Sequence, residues 1–395
     1  MTRIFKILIP KIRDFILVTL IAYTGVIYAS PAPAPAPAQV SLNQIMTSIG
    51  KTMVEIYPLI VAKRELTHKE IQSVENALSR LSYLFATAKP FIDEKSDGYQ
   101  ISYEFVSEYL KVVKSVLMSD QIDYARSHLY ALGEICTSCH TQDSTLRTLF
   151  SGTTREHFDD DYAYAEFNYM TRNYRDAVKY YEIFLASPAR KTELEIIQPL
   201  QRIITIYTQV NNQPAEGIGH LRKFQNLKDH TSETKAQLES WIRGLEELNM
   251  ISSQGNRPVR FDQLSHYVTE YLAQSEDKIT ETPSNVEQEV QRVWLRGQLY
   301  HYLNRNPDAN EIPMLLYWLS VADRSIAYNF YFSMTDLYLK QCVLKYPKHP
   351  FAPRCFREYR EYVNYIYTRN GEPIPEGIQN ELRELVLKLS GNKKN

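Results

Sequence analysis

Four consecutive stretches between residues 41 and 143 carry apolar residues three or four positions apart, and this spacing constrains the fold more than any other feature of the chain. The period is that of an α-helix with one buried face. The stripe of the first stretch, residues 42–62, comprises Leu42, Ile45, Met46, Ile49, Met53 and Ile56. The second begins at Thr67, which forms a capping-box pattern with Glu70, and we expect it to stop before Pro90. Short connections favour an antiparallel four-helix bundle.

The fourth stretch starts near residue 120 and runs into Cys136-Thr137-Ser138-Cys139-His140. Two thiols three residues apart, followed at once by a histidine, are the pattern that attaches a c-type haem. We therefore expect one covalent haem c, attached through Cys136 and Cys139, with His140 as an axial ligand of the iron. A zinc site and a thioredoxin-like dithiol remain alternatives. The zinc site lacks a second pair of ligands nearby, and a dithiol would follow a strand.

The antiparallel topology also predicts the second axial ligand. The start of the first helix and the end of the fourth lie at the same level of such a bundle. Met46, about one turn into the first helix, is near the level of His140, whereas Met53 lies about 10 Å lower at ~1.5 Å per residue. We expect Met46 to bind the iron. The alternative is a core methionine on the apolar stripe.

One CxxCH near the end of the fourth helix and a methionine early in the first resemble the class II c-type cytochromes. These are the four-helix proteins related to cytochrome c-prime and the soluble b-type cytochrome. The resemblance covers residues 41–143 and implies that His140 is one axial ligand. In members with a closed haem face the other is a methionine of the first helix, here Met46. The family's basic residue soon after the histidine is missing from residues 141–144.

Residues 1–30 have the basic head and the apolar run of a secretory signal. The run is shorter than the ~20 residues that cross a bilayer, so we expect cleavage, with an uncleaved anchor as the alternative. Residues 31–40, rich in alternating Pro and Ala, are predicted to form an extended spacer. Haem attachment after export indicates the periplasm, and we expect that the mature chain does not span the membrane. A formal net charge of −1 gives no electrostatic case for nucleic acid.

In the region 155–250, Ala165 and Ala177 are small residues at positions suited to the contact between paired helices, and Tyr181 and Phe184 are large packing residues. This first unit resembles a tetratricopeptide repeat. The residues at corresponding positions of a weaker second unit are Thr205, Pro214, Gly217, Leu221 and Phe224. An irregular array of helical hairpins is the alternative. We expect the acidic run at residues 159–161 to be solvated.

Residues 256–395 continue with six predicted helices, of which the first covers residues 261–274 and the last covers residues 376–389. Cys342 and Cys355 flank the turn at residues 347–350 between two of them. Antiparallel helices place the two thiols at nearly the same level, which predicts a disulfide in an oxidising compartment. Two separate buried thiols are the alternative.

These observations predict an all-α protein, in which a four-helix haem bundle (41–150) precedes a tetratricopeptide-like array (155–250) and a C-terminal helical region (256–395). The sequence shows no nucleophile–base pair and no phosphate-binding loop, so we expect no enzyme and identify no small-molecule substrate. The predicted function is a periplasmic monohaem cytochrome that passes single electrons, docked by its array to a redox or envelope protein. The alternatives are an envelope assembly scaffold with a structural or redox-sensing haem, and a haem sensor of nitric oxide or carbon monoxide.

Overall fold

The computed structural model describes residues 41–93, 97–119, 121–139, 153–225, 231–252, 259–275, 288–326, 333–368, 371 and 373–391. Over these ranges every regular element is helical and no strand occurs, so the predicted all-α class is confirmed. The predicted signal peptide and spacer lie outside the described residues.

The first four helices pack as a bundle. They span Leu42–Val61 (α1), His68–Ile92 (α2), Asp97–Met118 (α3) and Ile122–Cys139 (α4). Each helix packs against the next, and α4 also contacts α1. The predicted stripe of α1 faces the core, since Ile45, Ile49, Met53 and Ile56 are all buried.

The ends of α2 show one prediction that is confirmed and one that is wrong. The hydroxyl of Thr67 accepts a hydrogen bond from the Glu70 N–H at 3.4 Å, and the Glu70 carboxylate accepts one from the Thr67 N–H at 2.8 Å, so the capping box forms. The helix does not stop before Pro90 but continues to Ile92. Proline removes one N–H donor, but the Asp93 N–H bonds to the Lys89 carbonyl at 3.0 Å, so the ladder resumes beyond it.

Helices α1 and α4 run antiparallel. Arg126, in the first turns of α4, donates hydrogen bonds to the carbonyls of Ala62 and Arg64, which follow the C-terminal end of α1. The helices are 20 and 18 residues long. Their other ends, the first turn of α1 and the last turn of α4, therefore lie at the same end of the bundle.

The next helices form hairpins. Their bounds are Asp161–Met170 (α5), Tyr174–Ala186 (α6), Glu193–Thr205 (α7), Pro214–Arg222 (α8) and Ser232–Ser252 (α9). Helix α7 continues into a π-helical turn, Ile206–Val210. Ala165 and Ala177 are completely buried where α5 and α6 pack together, as expected for their small side chains.

The remaining helices span Phe261–Tyr271 (α10), Glu289–Arg305 (α11), Ile312–Ser325 (α12), Thr335–Lys345 (α13), Ala352–Thr368 (α14) and Glu376–Leu389 (α15). Helix α13 reaches back to the bundle. Gln341 donates a hydrogen bond to Glu104 of α3 at 2.8 Å, and Lys345 donates one to Gln100 at 3.2 Å. The described helices from Ser41 onward belong to one packed unit, in which the three predicted regions contact one another.

Candidate haem-attachment site

The two cysteines of the pentapeptide occupy the last turn of α4, which ends at Cys139. Their spacing of three residues on a helix puts Cys136 and Cys139 on one side of it. The structure describes the backbone at both positions, whereas their side chains and the whole of His140 lie outside the described residues.

Gly133 sets the register between α4 and α1. A Cβ atom built on Gly133 would lie 3.7 Å from Cε2 of Tyr57. Helical side chains lean towards the N-terminus of their helix. The contact therefore places Gly133 of α4 at the level of the α1 residue about two positions before Tyr57. Counted at ~1.5 Å per residue from there, Met46 lies about 5 Å beyond the level of Cys139, in the direction in which α4 ends. Met53 lies about 6 Å short of that level.

The surroundings of the two methionines also differ. Met53 is 5% exposed and belongs to the core of the bundle, whereas Met46 is half-buried and packs at its edge. Met118 is the last residue of α3, at the end of the bundle away from Cys139, and is 79% exposed. The ligation of iron by Met46 stays a prediction. The level of Met46 along the bundle and its partial exposure are both compatible with that role.

A third thioether near α4 belongs to Met170, at the end of α5. Its Sδ atom would lie 3.2 Å from a Cβ built on Gly133, one turn before Cys136. Sequence reasoning assigned Met170 to the repeat region. No local pattern could have found this contact, because it depends on how α5 packs against the bundle.

His128 of α4 is engaged away from the cysteines. Its Nδ1 atom lies 2.7 Å from the hydroxyl of Tyr109 on α3, and the two rings meet edge to face. Burial lowers the pKa of His128, which favours the neutral imidazole. His128 thus has its partner on α3, eight residues and about 12 Å before Cys136 at ~1.5 Å per residue.

A buried polar cluster joins α4 to the helices that follow it. Tyr130, six residues before Cys136, donates a hydrogen bond to Glu166 of α5, and Tyr181 of α6 donates another at 2.5 Å. Arg202 of α7 approaches the same carboxylate at 3.3 Å and donates to the Tyr130 hydroxyl at 2.8 Å. The Arg202 and Glu166 side chains are 4% and 1% exposed. Burial holds the pKa of Tyr181 well above its usual value, so its hydroxyl remains a donor.

The acidic run at residues 159–161 stays in contact with solvent, since Asp159 is exposed and Asp160 and Asp161 are half-buried, but it also ties the bundle to α5. Asp160 caps α5, because its side chain accepts a hydrogen bond from the backbone N–H of Ala163. The same carboxylate lies 2.9 Å from the Lys63 ammonium. Asp159 accepts the backbone N–H of Lys63 at 3.2 Å, and Asp161 pairs with Arg155 at 2.6 Å. An aspartate directly before a helical period is the N-cap signal that could have revealed this role.

Cys342 of α13 and Cys355 of α14 are joined by a disulfide, with their Cα atoms 6.3 Å apart. Both residues are completely buried. The helices flank the predicted turn, since α13 ends at Lys345 and α14 begins at Ala352.

No group of three or more His, Cys, Asp and Glu side chains that could hold a metal ion occurs within the described ranges. The helices described above include none with the length and apolar character needed to cross a membrane. The donors in the sequence fit a covalent haem, because two cysteines share the last turn of a bundle helix and a thioether lies near the same end on the antiparallel partner. No model of a known protein family matches the chain, and neither the curated proteins nor the solved structures contain a significant match.

Proposed function

We propose that this protein is an exported monohaem c-type cytochrome that passes single electrons. The observation that carries the proposal is the antiparallel pairing of α1 and α4, because it brings Met46 to the end of the bundle at which the CxxCH pentapeptide begins. When bound, the haem would supply an iron that exchanges one electron between its ferric and ferrous states.

The chain's own residues would have three tasks. Cys136 and Cys139 would hold the porphyrin through thioether bonds, and the imidazole of His140 would hold the iron. The thioether of Met46 would hold the iron as well and would exclude water and diatomic gases. With both of these ligands supplied by the protein, the site would reorganise little on electron transfer.

The buried faces of the bundle would keep such a site dry, and the cluster around Glu166 would fix α4 against the repeat region. We propose that the helices after α4 present the cytochrome to a redox or envelope protein of the periplasm. An envelope scaffold with a structural or redox-sensing haem is the second candidate. It is favoured by the number of helices, α5 to α15, that follow the bundle and pack into the same unit.

The test is a set of methionine variants of the exported holoprotein. Met46→Ala should open one axial position, so the visible spectrum should change, carbon monoxide should bind and the reduction potential should fall. Met118→Ala makes the same chemical change at the exposed last residue of α3. It should leave the visible spectrum, the carbon monoxide binding and the reduction potential unchanged.

Two outcomes would contradict the proposal. If Met53→Ala opens the site while Met46→Ala does not, the inferred register of α1 against α4 is wrong. If the parent protein already binds carbon monoxide readily, its distal face is open, and the gas-sensor reading replaces electron transfer.

A further inference from the structure

The end of α13 lies at the level of the cysteine pair. Helices α3 and α4 run antiparallel, since α4 begins four residues after α3 ends and Tyr109 of α3 bonds to His128 of α4 at 2.7 Å. Gln100 is 18 residues before the last residue of α3, and Cys139 is 17 residues after the first residue of α4, so they share one level at ~1.5 Å per residue. Lys345 donates its 3.2 Å hydrogen bond to Gln100, which places the end of α13 at this level.

Helix α13 also runs towards this end of the bundle. Gln341 bonds to Glu104, whereas Lys345, four residues later, bonds to Gln100, four residues before Glu104. The two helices are therefore antiparallel. The chain leaves α13 at the end of the bundle where α4 ends in the cysteines, and the turn at residues 346–351 lies beside that end.

This turn is held in one conformation. The disulfide between Cys342 and Cys355 joins the helices on both sides of it, with the two Cα atoms 6.3 Å apart. Within the turn the His349 N–H bonds to the Tyr346 carbonyl at 3.0 Å, and the Ala352 N–H bonds to the His349 carbonyl at 2.9 Å. A surface fixed in this way loses little conformational freedom when a partner binds, which favours binding.

The turn and the helix that follows it are basic. Residues 340–395 contain eleven Lys and Arg against six Asp and Glu, although the whole chain has a formal net charge of −1. The cations of residues 345–360, called here the basic surface, are Lys345, Lys348, Arg354, Arg357 and Arg360, and the one carboxylate in this range is Glu358. Glu358 is buried and lies 2.7 Å from Arg324, so it does not offset the charge at the surface.

Three cations of the basic surface are exposed, namely Lys348, Arg357 and Arg360. Within the part of the chain that the structure describes, Lys348 and Arg357 form no ion pair or hydrogen bond. The Arg360 guanidinium lies 5.9 Å from the centre of the Phe356 ring, a contact that leaves its charge uncompensated. These three charges are therefore available to a partner.

Acidic side chains nearby reduce this positive charge without cancelling it. Helices α12 and α13 are antiparallel, so the turn before α12 lies at the same end and contributes Asp308 and Glu311 against Arg305. On the bundle, the Asp93 carboxylate pairs with the Lys89 ammonium at 2.9 Å. The cations of the basic surface thus remain in excess among the described side chains of this end.

We propose that the basic surface docks an acidic redox protein at the cysteine end of the bundle. The exposed cations attract and orient the partner, and Leu344, 37% exposed, provides an apolar contact together with Pro350. Small interfaces are typical of electron-transfer encounters. Electron exchange at this surface rests on the function proposed above, whereas the binding of an acidic protein does not.

The probe is a plant-type ferredoxin, which is an acidic redox protein. The purified full chain with its haem is titrated into ¹⁵N-labelled ferredoxin, and binding is followed by NMR. The ferredoxin should bind, and its affinity should fall as the salt concentration rises. Lys348→Glu/Arg357→Glu should weaken binding by about tenfold, the loss expected for two exposed charge pairs.

The matched control is Lys69→Glu/Lys114→Glu. It reverses two exposed charges at the start of α2 and near the end of α3, which is the end of the bundle away from the cysteines. Ferredoxin should bind this variant as tightly as it binds the parent. Equal losses in the two double variants would overturn the docking site, as would a parent protein that does not bind ferredoxin. Binding of the parent to phosphatidylglycerol vesicles but not to ferredoxin would assign the basic surface to a membrane instead.

Stopped-flow kinetics separate the docking site from the function on which it rests. Reduced ferredoxin should pass one electron to the ferric haem, and this step should slow in Lys348→Glu/Arg357→Glu while the reduction potential stays unchanged. Fast electron transfer that is insensitive to this variant would overturn the docking site and support the proposed function. Binding that depends on Lys348 and Arg357 without any electron transfer would support the docking site and overturn the proposed function.

Discussion

Glu166→Gln should destabilise the protein strongly, because it removes the negative charge that compensates the buried Arg202. Breaking one side of a buried ion pair costs about 3–5 kcal/mol. The new amide would also present a donor to the hydroxyls of Tyr130 and Tyr181, both of which now donate to the carboxylate. For a unit of about 350 residues, at ~2.1 cal/mol/K per residue, a loss of about 4 kcal/mol lowers the melting temperature by about 5 °C.

The assay is scanning calorimetry of the purified protein with its disulfide intact. Glu55→Gln is the matched control, because Glu55 pairs with Arg80 where both side chains are at least half exposed. Such a pair is worth less than about 1 kcal/mol, so the control should melt within about 1 °C of the parent. Tyr181→Phe removes one donor and should fall between the two, which keeps the test informative if Glu166→Gln does not fold. A Glu166→Gln variant with the same melting temperature as the Glu55→Gln control would refute the reasoning.

Three further outcomes follow from the structure. Thiol counting under denaturing, non-reducing conditions should find no free thiol at Cys342 or Cys355, and the double alanine variant should lose roughly 3 kcal/mol of unfolding free energy; two free thiols would rule out the bridge. The hydrogen bond from Arg64, together with the capping hydrogen bonds of Thr67, lowers the pKa of Glu70 from 4.5 to about 2, so its contribution to stability is complete above pH 4.5 and is lost as the pH falls towards 2. A carboxyl midpoint near 4.5 by NMR would contradict this. Gly244→Ala should destabilise the protein, since its Cβ would lie 2.9 Å from Val290. Gly219→Ala meets nothing within 4 Å and should raise the free energy of unfolding by up to about 1 kcal/mol. Equal effects of the two variants in thermal melts would refute the close approach of α9 to α11.

The local period of the sequence predicted most of the helices, because an amphipathic helix reveals its buried face in its own residues. The last helix was expected over residues 376–389 and spans Glu376–Leu389. Helix α10 was expected to reach residue 274 and ends at Tyr271. Helix ends depend on caps and on neighbouring contacts that the period does not contain.

Contacts between distant segments could not be predicted in this way. The contact of α13 with α3, the approach of Met170 to Gly133 and the cluster around Glu166 each join residues that are far apart in the chain. Glu166 lies in a helix rich in aromatic residues, and nothing in its neighbours indicates that its charge is buried. The sequence did indicate the level of Met46, since that depends only on helix lengths and an antiparallel topology.

The mass of the intact purified protein under denaturing conditions tests the central claim most directly. The proposal predicts the mature chain plus one haem, and haem absorbance should stay with the polypeptide after denaturation. The Cys136→Ala/Cys139→Ala variant should lose both the added mass and the absorbance. A parent protein with the mass of the chain alone, and with free thiols at Cys136 and Cys139, would contradict it.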